Sequence, residues 1–277
     1  MRLRLDVAYD GSDFHGWASQ PGLRTVQGAL ESALVQVLPV ASAPVTCAGR
    51  TDTGVHARGQ VVHLDVPTEA LASSAGRSTA PPATALLRRL NGVLADDVRV
   101  RAAREVSEDF DARFSALWRR YAYRIADAPE LADPLVRRTV LAFPRPLDLD
   151  TMNQASSGLL GEHDFAAFCR KRQGATTVRA LRELTWTRDA AGLAVATVRA
   201  DAFCHHMVRA LVGCLVLVGD GRRPTGWPGE VLRGRVRHTG VTVVRPHGLT
   251  LEEVCYPPDA ELASRARTTR RVRCSDG

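Results

Sequence analysis

Three short stretches carry side chains whose types and spacing suit chemistry. The first is Cys47-Ala48-Gly49-Arg50-Thr51-Asp52-Thr53-Gly54-Val55-His56-Ala57-Arg58-Gly59-Gln60. Its glycines and polar residues lie between two apolar runs, which predicts a loop held by strands, where scaffolds place reactive groups. An aspartate close to glycine can simply close a turn on its own backbone. It can also serve as a catalytic carboxylate, and Arg50, two residues before Asp52, favours the ionised form even under partial burial. The second stretch, Ala112-Arg113-Phe114-Ser115-Ala116-Leu117-Trp118-Arg119-Arg120-Tyr121-Ala122-Tyr123, interleaves aromatics with arginines. Such a run stacks on bases and grips phosphates, or simply turns its tyrosines into a core. In the third, Ala202-Phe203-Cys204-His205-His206-Met207-Val208-Arg209-Ala210-Leu211-Val212-Gly213, Arg209 interrupts an apolar helix. A buried arginine there needs a carboxylate partner, and the alternative is a guanidinium that reaches back to the surface. The two histidines read as polar residues at a helix start.

The elements that must hold these stretches follow from periodicity. Leu3, Leu5, Val7 and Tyr9 alternate as a strand, and Asp10-Gly11-Ser12-Asp13 is turn chemistry. Thr25 caps a helix carrying Val26, Leu30, Ala33, Leu34, Val37 and Leu38. Strands are predicted over Val45 to Ala48 and Gln60 to Val66, and an exposed Ser/Pro-rich loop from Leu71 to Pro82. A helix through Leu86, Leu87, Leu90 and Leu94 and a strand at Val98 to Val100 complete a β-α-β-β-α-β order, the split unit of an antiparallel α+β sandwich. The second half offers a strand at Trp118 to Ile125 and a helix from Asp148. Strands at Leu181 to Thr187 and Leu193 to Val198, an apolar helix from His206 to Val218 and a strand at Leu249 to Tyr256 follow. This divides the chain into an N-terminal half (1–108) with the aspartate loop, a C-terminal half (109–260) with the tyrosine and arginine motifs, and a tail (261–277). The tail carries Arg265, Arg267, Arg270, Arg271 and Arg273 and reads as a flexible basic arm.

Composition narrows the partner and the compartment. The 277 residues are 45% hydrophobic and 24% charged, which fits a globular chain with a real core. Lys and Arg total 37 against 30 Asp and Glu, a net charge of +7, which points to a polyanionic partner. Lys171 is the only lysine, so every other basic residue is an arginine, whose planar fork suits phosphate and bases. The longest apolar run, Ala210 to Gly219, is about half a bilayer span, and no signal-peptide pattern opens the chain, so a cytoplasmic protein is expected. Six scattered cysteines without a C-x-x-C pair read as small buried hydrophobes and not as a disulfide framework. No zinc-spaced cluster, phosphate-binding P-loop or dinucleotide fingerprint is present in the sequence.

Taken together, Tyr9-Asp10-Gly11-Ser12 with Gly16-Trp17, Gly49-Arg50-Thr51-Asp52 with Gly54-Val55-His56, and Phe114-Ser115 with Tyr121-Ala122-Tyr123 form an ordered set. Phe203 with His205-His206-Met207-Val208-Arg209, Gly248-Leu249-Thr250-Leu251 and Tyr256-Pro257 extend it. This set closely resembles the tRNA pseudouridine synthase A family over roughly residues 2 to 258. The chain departs from the family in the insertion after Leu71, in Val243-Val244 where members often carry Ala and Pro, and in the basic tail.

The resemblance implies a pseudouridine synthase fold of the α+β class, with two RRM- or ferredoxin-like halves around a mixed, mainly antiparallel sheet and the active-site cleft between them. It implies an isomerase that converts uridine to pseudouridine on the 3′ side of the tRNA anticodon stem-loop (positions 38–40), working as a homodimer. No cofactor and no metal are required, because the freed base rejoins the same ribose through C5 without redox change. By similarity Asp52 is the catalytic carboxylate, and the residues leave open whether it attacks C1′ or assists glycal formation. Arg209 matches the arginine that pairs with that aspartate. Tyr121 matches the tyrosine that packs on the target base and takes the C5 proton, for which its ordinary pKa of about 10 would need tuning. Arg50 matches an arginine that helps to extrude the target nucleotide, and Leu249 an apolar residue packed near the flipped uracil. The competing readings are a noncatalytic RNA-binding protein of RRM-like topology and a glycosidase, which would want a second carboxylate; Asp65, on a strand, is the nearest acidic candidate.

Overall fold

A computed structural model of the chain describes residues 1–74, 76, 79–170 and 176–270. The backbone clusters into two compact units, one built from Met1–Leu117 together with the segment from Leu251, the other from Trp118–Thr250.

In the first unit, β1 (Arg2–Tyr9) pairs antiparallel with both β3 (His56–Asp65) and β4 (Val98–Val106). The alternation read in β1 is real: Leu3, Leu5 and Val7 are fully buried and Tyr9 nearly so. Helix α1 (Val26–Val37) starts where Thr25 accepts a hydrogen bond from the Gly28 amide, and it buries Val26, Leu30, Ala33, Leu34 and Val37. The short β2 (Thr46–Cys47) pairs antiparallel with β3. Helix α2 (Thr68–Ser74) and α1 both pack on α3 (Pro82–Val93), which lies against β4.

The second unit opens with β5 (Trp118–Ala126), paired antiparallel with β9 (Ala194–Ala200) and, at its end, parallel with β6 (Leu141–Ala142). Helix α4 (Leu149–Ser157) is capped by Asp148, whose carboxylate accepts from the Thr151 amide. Strands β7 (Gly161–Asp164), β8 (Val178–Arg188) and β9 (Ala194–Ala200) extend the sheet antiparallel from β5. Helix α5 (Met207–Gly219) is buried almost all round, as its apolar run from Ala210 to Gly219 requires, and α6 (Trp227–Gly234) packs beside it. The chain then runs through β10 (Leu249–Cys255) into α7 (Leu262–Arg270). Both units therefore have the α+β character expected, with antiparallel strand pairing throughout these contacts except the parallel β5–β6 pair of the second unit.

Several expectations need correction. The division falls at Leu117, not 108, and the chain from Leu251 rejoins the first unit, because β10 lies beside β3. Gly59 explains that closeness: a Cβ there would stand 2.3 Å from the Glu252 carbonyl oxygen. The basic tail is not a free arm through Arg270. Leu262 and Ala266, four residues apart, bury one face of α7, while Arg265 donates to the Ala116 carbonyl and Arg270 pairs with Asp111 at 2.9 Å. Arg271 and Arg273 lie outside the described residues. The loop expected from Leu71 to Pro82 begins as helix: Leu71 and Ser74 are buried in α2, and Arg89 of α3 donates to the Ser74 carbonyl at 3.0 Å. Residues 75, 77 and 78 lie outside the described residues.

The cysteines also divide. Cys47 and Cys214 are buried hydrophobes as read, with burial pushing each thiol up to about 12. Cys169 and Cys204, 35 residues apart, are instead joined as a disulfide, with Cα atoms 5.7 Å apart. That pairing was invisible to spacing because β8 and β9 come between the partners. Among the described residues no helix is long and apolar enough to cross a membrane.

Candidate active site

The first unit supplies Arg50 and Asp52, on the loop that links β2 to β3. Backbone groups on both sides of Asp52 are anchored. Ala48 donates to the Val61 carbonyl at 2.8 Å, Trp17 donates to the Thr51 carbonyl at 3.0 Å, and Val55 donates back to the Asp52 carbonyl at 3.1 Å. The Gly11 amide donates to Nδ1 of the buried His56 at 3.0 Å.

Two glycines let the β1–α1 connection come this close. A Cβ on Gly11 would sit 2.0 Å from the Val55 carbonyl oxygen. Gly16, at φ +87°, faces the Thr51 carbonyl and the Thr53 amide, and both the left-handed backbone and the contact exclude a side chain. The outcome is a rigid loop with Thr51 buried, Asp52 half-buried and Arg50 exposed.

Side chains from β1 and β3 reach the same loop from beneath. Gln60 Nε2 donates to the Gly49 carbonyl at 2.8 Å and to the Tyr9 hydroxyl at 3.3 Å. The Tyr9 hydroxyl in turn lies 2.8 Å from Thr51 Oγ1. Sequence reasoning placed Gln60 at the end of a motif without giving it a part. The signal for it was a polar amide at the head of the apolar run Val61, Val62 and Leu64.

The second unit supplies Tyr121, Arg209 and Leu249. Tyr121 is buried on β5 opposite Val198 of β9, with only 7% of its surface exposed. The Phe203 ring meets it edge-on, with centroids 5.1 Å apart. Phe203 follows Asp201, a buried carboxylate that accepts from the amides of Ala180 and Ala202 and so sets the turn leaving β9.

His206 occupies the cap position of α5 with φ +70°, which agrees with the reading of the histidines as helix-start residues. Arg209, half-buried in the first turn, donates from Nε to the Val244 carbonyl at 2.8 Å, and the Val244 amide donates to the Arg209 carbonyl at 3.3 Å. One turn on, Gly213 leaves room for the Thr242 carbonyl oxygen, only 1.8 Å from where a Cβ would be. Segment 242–244 thus lies flat along α5, and the guanidinium satisfies a carbonyl as well as filling space.

Tyr123 donates to the Arg245 carbonyl at 2.7 Å, and burial raises its phenol far above the ordinary value, partly offset by Arg209 and Arg245. It therefore stays a neutral donor that fixes the chain just before Gly248 and the buried Leu249. A Cβ on Gly248 would stand 2.7 Å from the Tyr123 ring. The chemistry on offer is an aspartate presented by an anchored loop, with arginine, tyrosine and apolar groups fixed in the other unit.

Comparison with known proteins agrees with this inventory. The sequence pattern of the family described as tRNA pseudouridine synthase matches residues 7–115 and 155–257. The chain belongs to the tRNA pseudouridine synthase family. It is 57% identical over 279 residues to tRNA pseudouridine synthase A of Streptomyces griseus, covering 100% of this chain and 95% of that protein. The protein of the same name from Frankia casuarinae is 56% identical over 273 residues (99% and 96%), and that of Mycobacterium leprae 52% over 280 (99% and 96%). Membership of the tRNA pseudouridine synthases makes the chain an isomerase that acts on tRNA, in the pseudouridine synthase fold expected. The matched blocks contain Arg50, Asp52, Arg209 and Leu249, whereas Tyr121 falls between them.

Proposed function

We propose that this isomerase acts on uridines of the anticodon stem-loop, positions 38–40, with Asp52 as its catalytic carboxylate. The anchored loop is the observation that carries the reading. A half-buried aspartate whose flanking backbone is hydrogen-bonded on both sides keeps its orientation without cost at the moment of reaction. The reaction breaks the C1′–N1 bond, turns the uracil, and forms a C1′–C5 bond, after which the C5 proton leaves and N1 is protonated. Atoms and electrons balance without any cofactor.

In this reading Asp52 attacks C1′ or assists glycal formation, and Arg209 has the role of the family's arginine partner to that aspartate. Tyr121 packs on the base and receives the C5 proton. Arg50, exposed at the edge of the loop, takes the place of the everted nucleotide, and Leu249 packs beside the uracil. Eversion costs a few kcal/mol, which stacking on Tyr121 and phosphate contacts from arginines offset. The enzyme works in the cytoplasm as a homodimer whose subunits share the tRNA.

Release of the C5 hydrogen supplies the test. With tRNA tritiated at uridine C5, the unaltered enzyme frees tritium into water. Asp52→Asn is expected to abolish release while tRNA binding by filter retention stays within a few-fold. Turnover by that variant would overturn the assignment.

A further inference from the structure

Gln60 is an unexpected residue for its place. It is fully buried in β3, followed by Val61, Val62 and Leu64, and a buried amide costs free energy unless every polar atom is satisfied. A valine or leucine would pack there without that cost. Both of Gln60's polar atoms are used, and its amide nitrogen reaches the aspartate loop directly and through Tyr9. Nε2 donates to the Gly49 carbonyl and to the Tyr9 hydroxyl, and Oε1 accepts from the Val61 amide at 3.2 Å. Tyr9, 5% exposed, passes the connection to the hydroxyl of Thr51, itself 6% exposed.

We propose that Gln60 and Tyr9 are positioning residues for the isomerisation. They grip the loop at Gly49 and Thr51, on either side of Arg50, and so set the direction in which the Asp52 carboxylate leaves the backbone. This inference rests on the reading of Asp52 as the catalytic group. Its physical content is that orienting a reacting group is worth far more than the bonds that orient it, since a misplacement of about 1 Å costs on the order of a hundredfold in rate.

The amide is the only group of this shape that serves. Two acceptor oxygens, the Gly49 carbonyl and the Tyr9 hydroxyl, face Nε2, so the position demands a donor. An ionised glutamate there would set oxygen against oxygen. A protonated one restores a single donor, and burial raises a carboxyl's pKa toward neutrality.

The test compares Tyr9→Phe, Gln60→Glu and Asp52→Asn by tritium release, tRNA affinity and thermal melting. Tyr9→Phe keeps the ring and its packing on Trp17, and is expected to lower kcat roughly tenfold with KM and melting temperature nearly unchanged. Gln60→Glu is expected to be slow at pH 8 and to recover turnover as the pH is lowered to 6, a dependence the unaltered enzyme does not share. Wild-type kcat in both variants at every pH, or losses that only track a fall in folded protein, would overturn the positioning role and leave Asp52 in place. Turnover by Asp52→Asn would instead overturn the reading beneath it.

Discussion

The ring of Phe203 stands edge-on to the ring of Tyr121, with the planes at 89° and the centroids 5.1 Å apart. Edge-to-face pairs of this kind are worth about 0.5–1.5 kcal/mol beyond the area they bury. Phe203 therefore does more than fill space: it limits the rotation of the one aromatic ring assigned to the target base. Phe203→Leu, which keeps apolar bulk but loses the edge contact, is expected to lower kcat about two- to tenfold. Single-turnover tritium release measures it; an unchanged rate would show that Tyr121 is held by β5 and β9 alone.

Gly11 and Gly49 separate packing from local flexibility. A Cβ on Gly11 collides with the Val55 backbone, whereas one on Gly49 meets nothing within 4 Å. Gly11→Ala is expected to destabilise by about 1–3 kcal/mol and to cut turnover by shifting the loop that carries Asp52. Gly49→Ala should stay within about 0.5 kcal/mol of the parent. Urea denaturation of the pair, run beside the activity assay, checks both.

His63 gives the fold a pH dependence whose sign can be worked out. Its Nδ1 accepts from the Ala112 amide at 3.0 Å, and burial, reinforced by Arg2 and opposed by Asp111 and Asp65, holds its pKa below the ordinary imidazole value. The unfolded chain therefore takes up a proton at His63 that the folded chain resists. The stability it contributes is fully present above the unfolded value of about 6.5 and is lost as pH falls through the lowered folded value. Melting temperature should fall between pH 7 and pH 5, with a shallower slope in His63→Gln.

Affinity for tRNA is expected to fall steeply with salt. A chain of net charge +7 whose basic residues are nearly all arginine binds a polyanion by releasing counterions. A log–log plot of affinity against salt concentration gives the number of phosphates contacted. Replacing Arg50 by Ala should remove about one contact from that slope, because Arg50 is exposed at the loop's edge.

Asp127 tests the structural carboxylates against the catalytic one. Its buried oxygens pair with Arg188 and accept from the Leu147 amide at 2.8 Å, and although burial opposes it, these contacts hold the carboxyl below its ordinary range. Asp127→Asn is expected to cost about 1.5–3 kcal/mol in urea melts while the folded enzyme keeps its turnover per molecule.

What the sequence determined by itself is what short-range physics controls. Alternation in β1, the Thr25 cap and spacing of α1, the Asp148 cap of α4 and the apolar run from Ala210 to Gly219 in α5 are local patterns, and the elements stand where those patterns put them. The residue types of the candidate site, Arg50, Asp52, Tyr121, Arg209 and Leu249, were legible for a related reason: they sit in compact motifs, and the family match covers all but Tyr121. Tertiary structure alone decided the rest, because the groups concerned meet across large sequence separations. Residues from Leu251 return to the first unit beside β3, and two apolar contacts four residues apart turn a basic tail into α7. Cys169 finds Cys204 across two intervening strands, and Arg209 finds the Val244 carbonyl 35 residues on. Gln60 reads as one more strand residue until the fold brings Gly49 and Tyr9 to its amide, 11 and 51 residues away. A hydrogen bond of that kind leaves no periodicity behind, so only the folded chain reveals what the buried polar group is for.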